Sequence, residues 1–355
     1  MPQFFEHDGQ FDGAGGVVQL GPALVHIRLP QGTGVDAVLG HAADQCGRAL
    51  LGDGVANGLL PQPLIGVELQ QHEGRLPVIT ASAVELAIVL EELGHATDPT
   101  PFLATMSQFA PLVGEQFDPH ESGTAVYGGV AAHRDAEGWV LDGTARHVLD
   151  GDRVDRLAVA TDAGVFLTAS NQVSARRVAV FDPVLHVADL SFCEVRVPDS
   201  ARLAVDSERA HHMALTGMAI TMVGACQRIL DLALEHVRSR QQFGVPIGSF
   251  QAVQHKAADM HVAIERARAL AYFAALTIAA DDPRRRLAAA MAKASAGECQ
   301  SLVFRHGLQL HGAMGFTWEN DLQFALKRAK AGELMLGGAA EHRARIAEEY
   351  RAVDF

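Results

Sequence analysis

Two stretches of this 355-residue chain hold residues whose types and spacing suit the recognition of an anion. The first is Arg240-Gln-Gln-Phe243-Gly244-Val-Pro246-Ile247-Gly-Ser-Phe250-Gln251-Ala-Val-Gln254. An arginine and an aromatic close one helical pattern, a Gly-Val-Pro turn follows, and glutamines open the next. A guanidinium fork there can hold a carboxylate or phosphate beside a ring that can stack. The same residues also suit a plain helix hairpin whose last arginine answers the helix dipole. The second stretch is Gln309-Leu-His311-Gly312-Ala-Met-Gly315-Phe316-Thr317-Trp318-Glu319. Its glycines, three apart, let backbone approach a ligand or another chain, or simply end a helix.

Other chemistries find no motif. There is no GxSxG elbow, HExxH helix or GxxxxGK[ST] loop. His255/His261 and His306/His311 lack the i,i+4 spacing of a zinc helix. Cys46, Cys193, Cys226 and Cys299 form no CxxC pair, so no metal site and no disulfide framework are expected. Gly32 to Ala37, GTGVDA, imitates a dinucleotide-binding turn but follows no clear strand, and reads as a glycine-rich loop.

The elements that must position the two stretches follow from periodicity. Residues 1–80 hold 14 of the 34 glycines, no lysine and no sustained pattern, so they stay unassigned, either poorly ordered or out of frame. AVELAIVLEELGHA predicts a helix with Val84, Leu86, Ile88, Val89, Leu90 and Leu93 as its apolar residues and Gly94 at its C-cap. GWVLDGTARHV, RLAVAT, GVFLTAS, RRVAVFD and FCEVRVPDS are short β-rich runs that predict a small antiparallel β domain. Helical spacing then takes over. A helix over 208–239 carries a stripe of Leu215, Met218, Met222, Ala225, Ile229, Leu232 and Leu234. Others are expected from Ser249, as N-cap, to Ala280, from Leu287 to His311, over 320–330 and from Ala339 to Tyr350. Long helices with short connections predict an antiparallel bundle.

Composition narrows the partners. The net charge of −13 disfavours nucleic acid and anionic membranes. Almost all of that acidity lies before residue 206. Ala210 to Gln227 is free of Asp, Glu, Lys and Arg for 18 residues, yet it contains His211, His212, Thr216 and Thr221. It reads as a core helix and not a membrane span. The N-terminal MPQFFEHDGQ has neither a basic nor an apolar leader region, so a cytoplasmic protein is expected.

Taken together, RQQFGVPIGSFQAVQH and the later QLHGAMGFTWE resemble the acyl-CoA dehydrogenase family. AVELAIVLEELGHA, GWVLDGTARHVLDGDRVDRLAVA and LSFCEVRVPDS extend the resemblance over about residues 81–352. It implies an α+β fold: a helical N-terminal region, degenerate here, a small antiparallel β middle domain and a C-terminal antiparallel helix bundle. The corresponding divisions are 81–118, 119–205 and 206–355. It also implies FAD, an acyl-CoA substrate, and removal of two hydrogens across the Cα–Cβ bond. In such enzymes a carboxylate takes the α-proton and the flavin takes the β-hydride. The roles of holding the adenosine pyrophosphate of a neighbouring subunit's FAD map onto Arg240, Phe243, Gln309, Gly312 and Gly315, with Gln251 beside them. Ala313 stands where the family has a second glycine.

The family's base does not map onto an acid. Its two usual positions align with Leu336 and Ala214. Glu333, three residues before Leu336, is a candidate base, and Glu341 opens the last helix where a carboxylate suits the dipole. The family's flavin-ring contact segment aligns with His147-Val148-Leu149, without its hydroxyl. The CoA-holding arginine aligns with Leu215, with Asp206 and Arg209 nearby. The pattern is most similar to the base-less subunit of actinobacterial heterotetrameric acyl-CoA dehydrogenases, several of them tied to steroid side-chain breakdown. Two alternatives stand beside it: a self-sufficient dehydrogenase with an unusual base, and a flavin-dependent monooxygenase of the same fold.

Overall fold

The structure, a computed structural model, describes residues 16–20, 23–27, 82–136 and 138–351. The GTGVDA turn lies outside the described residues. The chain divides into two units, residues 1–81 and 82–355. In the first, β1 (Gly16–Leu20) and β2 (Ala23–Ile27) pair antiparallel, from Gly16 opposite Ile27 to Leu20 opposite Ala23. Runs of five residues are too short to register as sustained alternation, which is why sequence periodicity missed them.

The second unit opens with α1 (Ala83–Ala96). Ser82 caps it by accepting from Val84 N at 3.3 Å. Leu86, Ala87, Leu90, Leu93 and Gly94 form its buried face, while Val84, Ile88 and Val89 are only half-buried. Gly94 is not the C-cap. The helix runs on to Thr97, whose φ of 56° ends it while Asp98 N donates to Leu93 O at 2.9 Å. Gly94 is needed inside the helix: a Cβ there would sit 2.2 Å from Thr221 O of the long helix that crosses it. A π-helical stretch, Ala104–Phe109, leads toward the sheets.

Two four-stranded sheets follow. One has the order β10 (Arg202–Leu203), β7 (Gly164–Ala169), β6 (Arg156–Thr161), β3 (Gly123–Val126). The other runs β4 (Val130–Arg134), β5 (Trp139–Leu149), β9 (Val187–Val197), β8 (Ser174–Arg177). Leu141, Leu157, Phe166, Leu190 and Phe192 belong to one apolar cluster drawn from both. The expected antiparallel pairing holds except at β3 and β6, which run parallel. Between them the chain visits β4 and β5 of the other sheet, so it re-enters in its original direction.

The bundle consists of α2 (Ser207–Ser239), α3 (Gln251–Ala279), α4 (Arg285–His311), α5 (Leu322–Leu334) and α6 (Ala339–Arg351). Asp206 caps α2 by accepting from Arg209 N at 2.9 Å. Leu215, Met218, Met222, Ala225 and Ile229 are buried as spaced, whereas Leu232 and Leu234 are half-buried. α2 is long and apolar enough to cross a membrane, yet 83% of that window is buried against α1, α3, α4 and α5. Ser249 does not cap α3. It sits in a 3₁₀ turn and donates to Pro246 O at 2.7 Å, and α3 begins two residues later after Phe250.

Candidate functional site

The first stretch becomes a raised tip on the end of α2. Arg240 is exposed and closes the helix, with its N–H on His236 O at 2.9 Å. A two-stranded ribbon then forms, β11 (Gln241–Gln242) with β12 (Val245–Pro246), and Phe243-Gly244 is its turn. Both turn residues have positive φ, 53° and 79°, as a type I′ turn requires. Phenylalanine is a poor occupant of that region. Its ring is nevertheless 91% exposed and meets Phe250 edge-on at 6.3 Å. A strained backbone that presents an exposed aromatic points toward a functional role. Ile247 N donates to Arg240 O at 2.8 Å, tying the far side of the ribbon back to the helix end. Gln251 is exposed on the first turn of α3.

The second stretch ends α4 beside it. His311 stacks on His236 with centroids 4.7 Å apart and planes inclined by 20°, so the ends of α2 and α4 meet. His311 Nδ1 donates to Gly307 O at 2.9 Å. Burial, His311 and Arg240 together push the His236 pKa below its usual value. Gln309 is exposed. Gly312 has a φ of 59°, and a Cβ added there would meet nothing within 4 Å. Gly315 is buried against His311 and Leu308. Met314, Phe316 and Trp318 stand exposed next to it. The sequence offered one signal for the stack: His236 lies four residues before Arg240, on the same face of α2.

A second convergence lies inside the unit. Leu149, Met218, Met222, Met335 and Leu336 belong to, or pack on, one apolar cluster with α1. Ala214 is fully buried, and Leu215 nearly so. Two cavities of about 10 Å³ each remain, lined by residues such as Leu90, Leu103, Leu149, Leu185, Thr221 and Met335. Each has room for a single water. Arg328 reaches them from α5. It donates to Asp182 at 3.0 Å and to Asp98 O at 2.8 Å, while its Nη2 is buried without a partner.

Glu333 is occupied structurally. Its Oε1 accepts from Ala339 N at 2.9 Å and so caps α6, and its Oε2 is buried over Gly297. Lys293, fully buried, donates to Gly337 O at 2.7 Å, and burial pushes its pKa down to about 8. Glu341 pairs with Arg345 along α6. Arg209 donates to Ile278 O at 3.1 Å at the end of α3, and Asp206 is the cap of α2. His147 is exposed in the bulged part of β5 at a φ of 57°, while Val148 and Leu149 point inward.

The described unit is a helical segment, two packed sheets and a bundle whose end presents basic, amide and aromatic groups. Residues 204–350 match the acyl-CoA dehydrogenase C-terminal domain. The chain is 32% identical over 331 residues to the acyl-CoA dehydrogenase IpdE2 of Mycobacterium tuberculosis, covering 93% of this chain and 92% of that one. An alignment of that extent enters residues 1–80. Among solved structures, the ChsE4–ChsE5 complex of Mycobacterium tuberculosis is similar at a TM-score of 0.71 and 25% identity, over 77% of this chain and 82% of the other. The Tcur3481–Tcur3483 steroid dehydrogenase variant shares the fold at a TM-score of 0.68 and 24% identity, over 75% and 80%. The chain belongs to the acyl-CoA dehydrogenase family. The groups at the bundle end fit the diphosphate and adenine of a dinucleotide: the exposed Arg240 guanidinium and Gln309 amide, the half-buried His236 imidazole, and Gly312, whose exposed backbone carries no side chain.

Proposed function

We propose that this chain is the subunit of a heteromeric, FAD-dependent acyl-CoA dehydrogenase that completes its partner's cofactor site and supplies no base of its own. The observation behind this reading is a contrast. The bundle end is open and equipped for a dinucleotide, while the interior that would hold an acyl thioester and a base is filled by leucines and methionines. The flavin, when bound, accepts the hydride lost from the acyl chain. The contribution of this chain is to bind and orient. Arg240 holds the diphosphate, Gln309 and the Gly312 backbone line its path, and Phe243 covers the flat part of the cofactor. Exposed Val245, Phe250, Met314, Phe316 and Trp318 suit burial against the second subunit. The similarity to a two-component complex supports a heteromer. The same reading keeps residues 81–118, 119–205 and 206–355 as the functional divisions and the cytoplasm as the location.

The test is to express the chain alone and together with the acyl-CoA dehydrogenase subunit encoded beside it. Bound FAD and acyl-CoA oxidation are then measured. The expected result is FAD and turnover only in the complex. Arg240→Ala should release FAD from the complex, weakening it by about 1.5–3 kcal/mol. Stoichiometric FAD and turnover from the lone chain would overturn the reading in favour of a self-sufficient enzyme. A requirement for reduced flavin and oxygen would instead mark a monooxygenase.

A further inference from the structure

The stacked pair His236–His311 joins the ends of α2 and α4. Two imidazoles and the Arg240 guanidinium gather at one exposed end of the bundle. His311 and Arg240 are the charged or titratable neighbours whose influence is felt at His236, and both disfavour its charged form. The neighbouring segments add no countercharge. The ribbon and turn over 241–250 contain only Gln, Phe, Gly, Val, Pro, Ile and Ser, and the 3₁₀ turn Gly312–Phe316 has no ionisable side chain. Glu235, the carboxylate next in sequence, is exposed one residue away on α2, about 100° around the helix. Among the described residues no carboxylate pairs with Arg240, and a cluster of nitrogen bases beside such an arginine is arranged to receive an anion from outside.

We propose that His236, held in place by its stack on His311, is a second anion-recognising residue for the cofactor diphosphate, and that it takes up one proton from solvent as the diphosphate docks on Arg240. This rests on the reading of the bundle end as a FAD-holding face. The physical reason is simple. Without the ligand, burial and the nearby His311 and Arg240 all disfavour the charged form of the ring. An arriving diphosphate reverses the sign of the local field and favours the imidazolium. The ring then adds a charge-assisted hydrogen bond to that of the arginine. His311 serves as the positioning residue, because its Nδ1–H is committed to Gly307 O and its plane fixes that of His236.

The experiment uses the co-expressed complex, stripped of FAD and titrated with FAD between pH 6 and 8.5. Affinity is read from flavin fluorescence. Proton uptake is read by calorimetry in two buffers of different ionisation heat. The wild-type complex should bind roughly five- to tenfold tighter at pH 6 than at pH 8 and take up a fraction of a proton. His236→Phe keeps an aromatic face for the stack but cannot be protonated. It should flatten the pH dependence and bind at pH 6 as the wild type does at pH 8. His236→Gln, which keeps a hydrogen-bond donor, should recover part of the affinity but not the proton uptake. Arg240→Ala separates the two ideas. If it leaves FAD binding unchanged, the FAD-face reading fails and this inference fails with it. If it releases FAD while His236→Phe retains the wild-type pH slope and proton uptake, the inference alone is overturned.

Discussion

The bundle end and the interior junction are built from opposite materials. At the end, Phe243 is 91% exposed and Phe316 and Trp318 are each 76% exposed, beside an exposed arginine. At the junction, Leu149, Met218 and Met335 close on cavities with room for one water each, and the local arginine is paired with Asp182. Apolar surface left in water and a bulky residue at positive φ both cost stability. A chain retains such features where something else covers them. A buried ion pair inside an apolar junction has the opposite meaning: it locks neighbouring elements together.

The contrast can be broken most forcefully at Arg328. Asp182 is fully buried, so Arg328→Met leaves an uncompensated carboxylate, and unfolding by urea should report a loss of about 3–5 kcal/mol. A variant that kept its stability and gained acyl-CoA binding would mean the junction is a substrate pocket after all. Asp150 tests the same region by pH. Burial, opposed mainly by Arg153, raises its carboxyl to about 6. A raised acid pKa adds stability that is fully present below the unfolded value near 4 and fades as pH rises through 6. Asp150→Asn should therefore remove up to ~1.4 kcal/mol per pH unit of slope between pH 4 and 6, measured by denaturation at fixed pH values.

The smaller effects lie at the bundle end, where function and stability should separate. Phe243→Asn places the residue favoured by a type I′ turn and relieves the left-handed strain. The lone chain should gain about 1 kcal/mol in thermal or chemical unfolding, while the complex holds FAD less tightly. Simultaneous loss of both would make Phe243 a structural residue. Arg240→Ala should shift the unfolding of the lone chain by no more than ~0.5 kcal/mol, since its side chain is exposed. A larger shift would show that the arginine serves the fold and not a ligand.

Much of this was readable along the chain. The 3.6-residue spacing of Leu215, Met218, Met222, Ala225 and Ile229 marked the core face of α2, because helical geometry turns spacing directly into a buried side. The short β-branched runs marked most of the sheets for the same local reason. The position of Arg240, Phe243, Gln309, Gly312 and Gly315 at helix ends was legible because each group is contiguous and closes a helical pattern. Gly94 shows where local rules stop. A glycine near a helix end suggests a cap, but here it is needed where Thr221 crosses α1.

What depended on tertiary packing was every pairing between distant segments. His236 reaches His311, Arg328 reaches Asp182 across 146 residues, and Glu333 caps α6 over Gly297. Local spacing sets which face of an element is apolar, but not which partner that face meets or whether a charged group ends in water or in the core. For this chain the sequence alone therefore named the family and the helix ends that carry Arg240 and Gly312. Only the packed structure revealed that the interior junction is filled and that Glu333 is already engaged, because both follow from close packing between elements far apart in the chain.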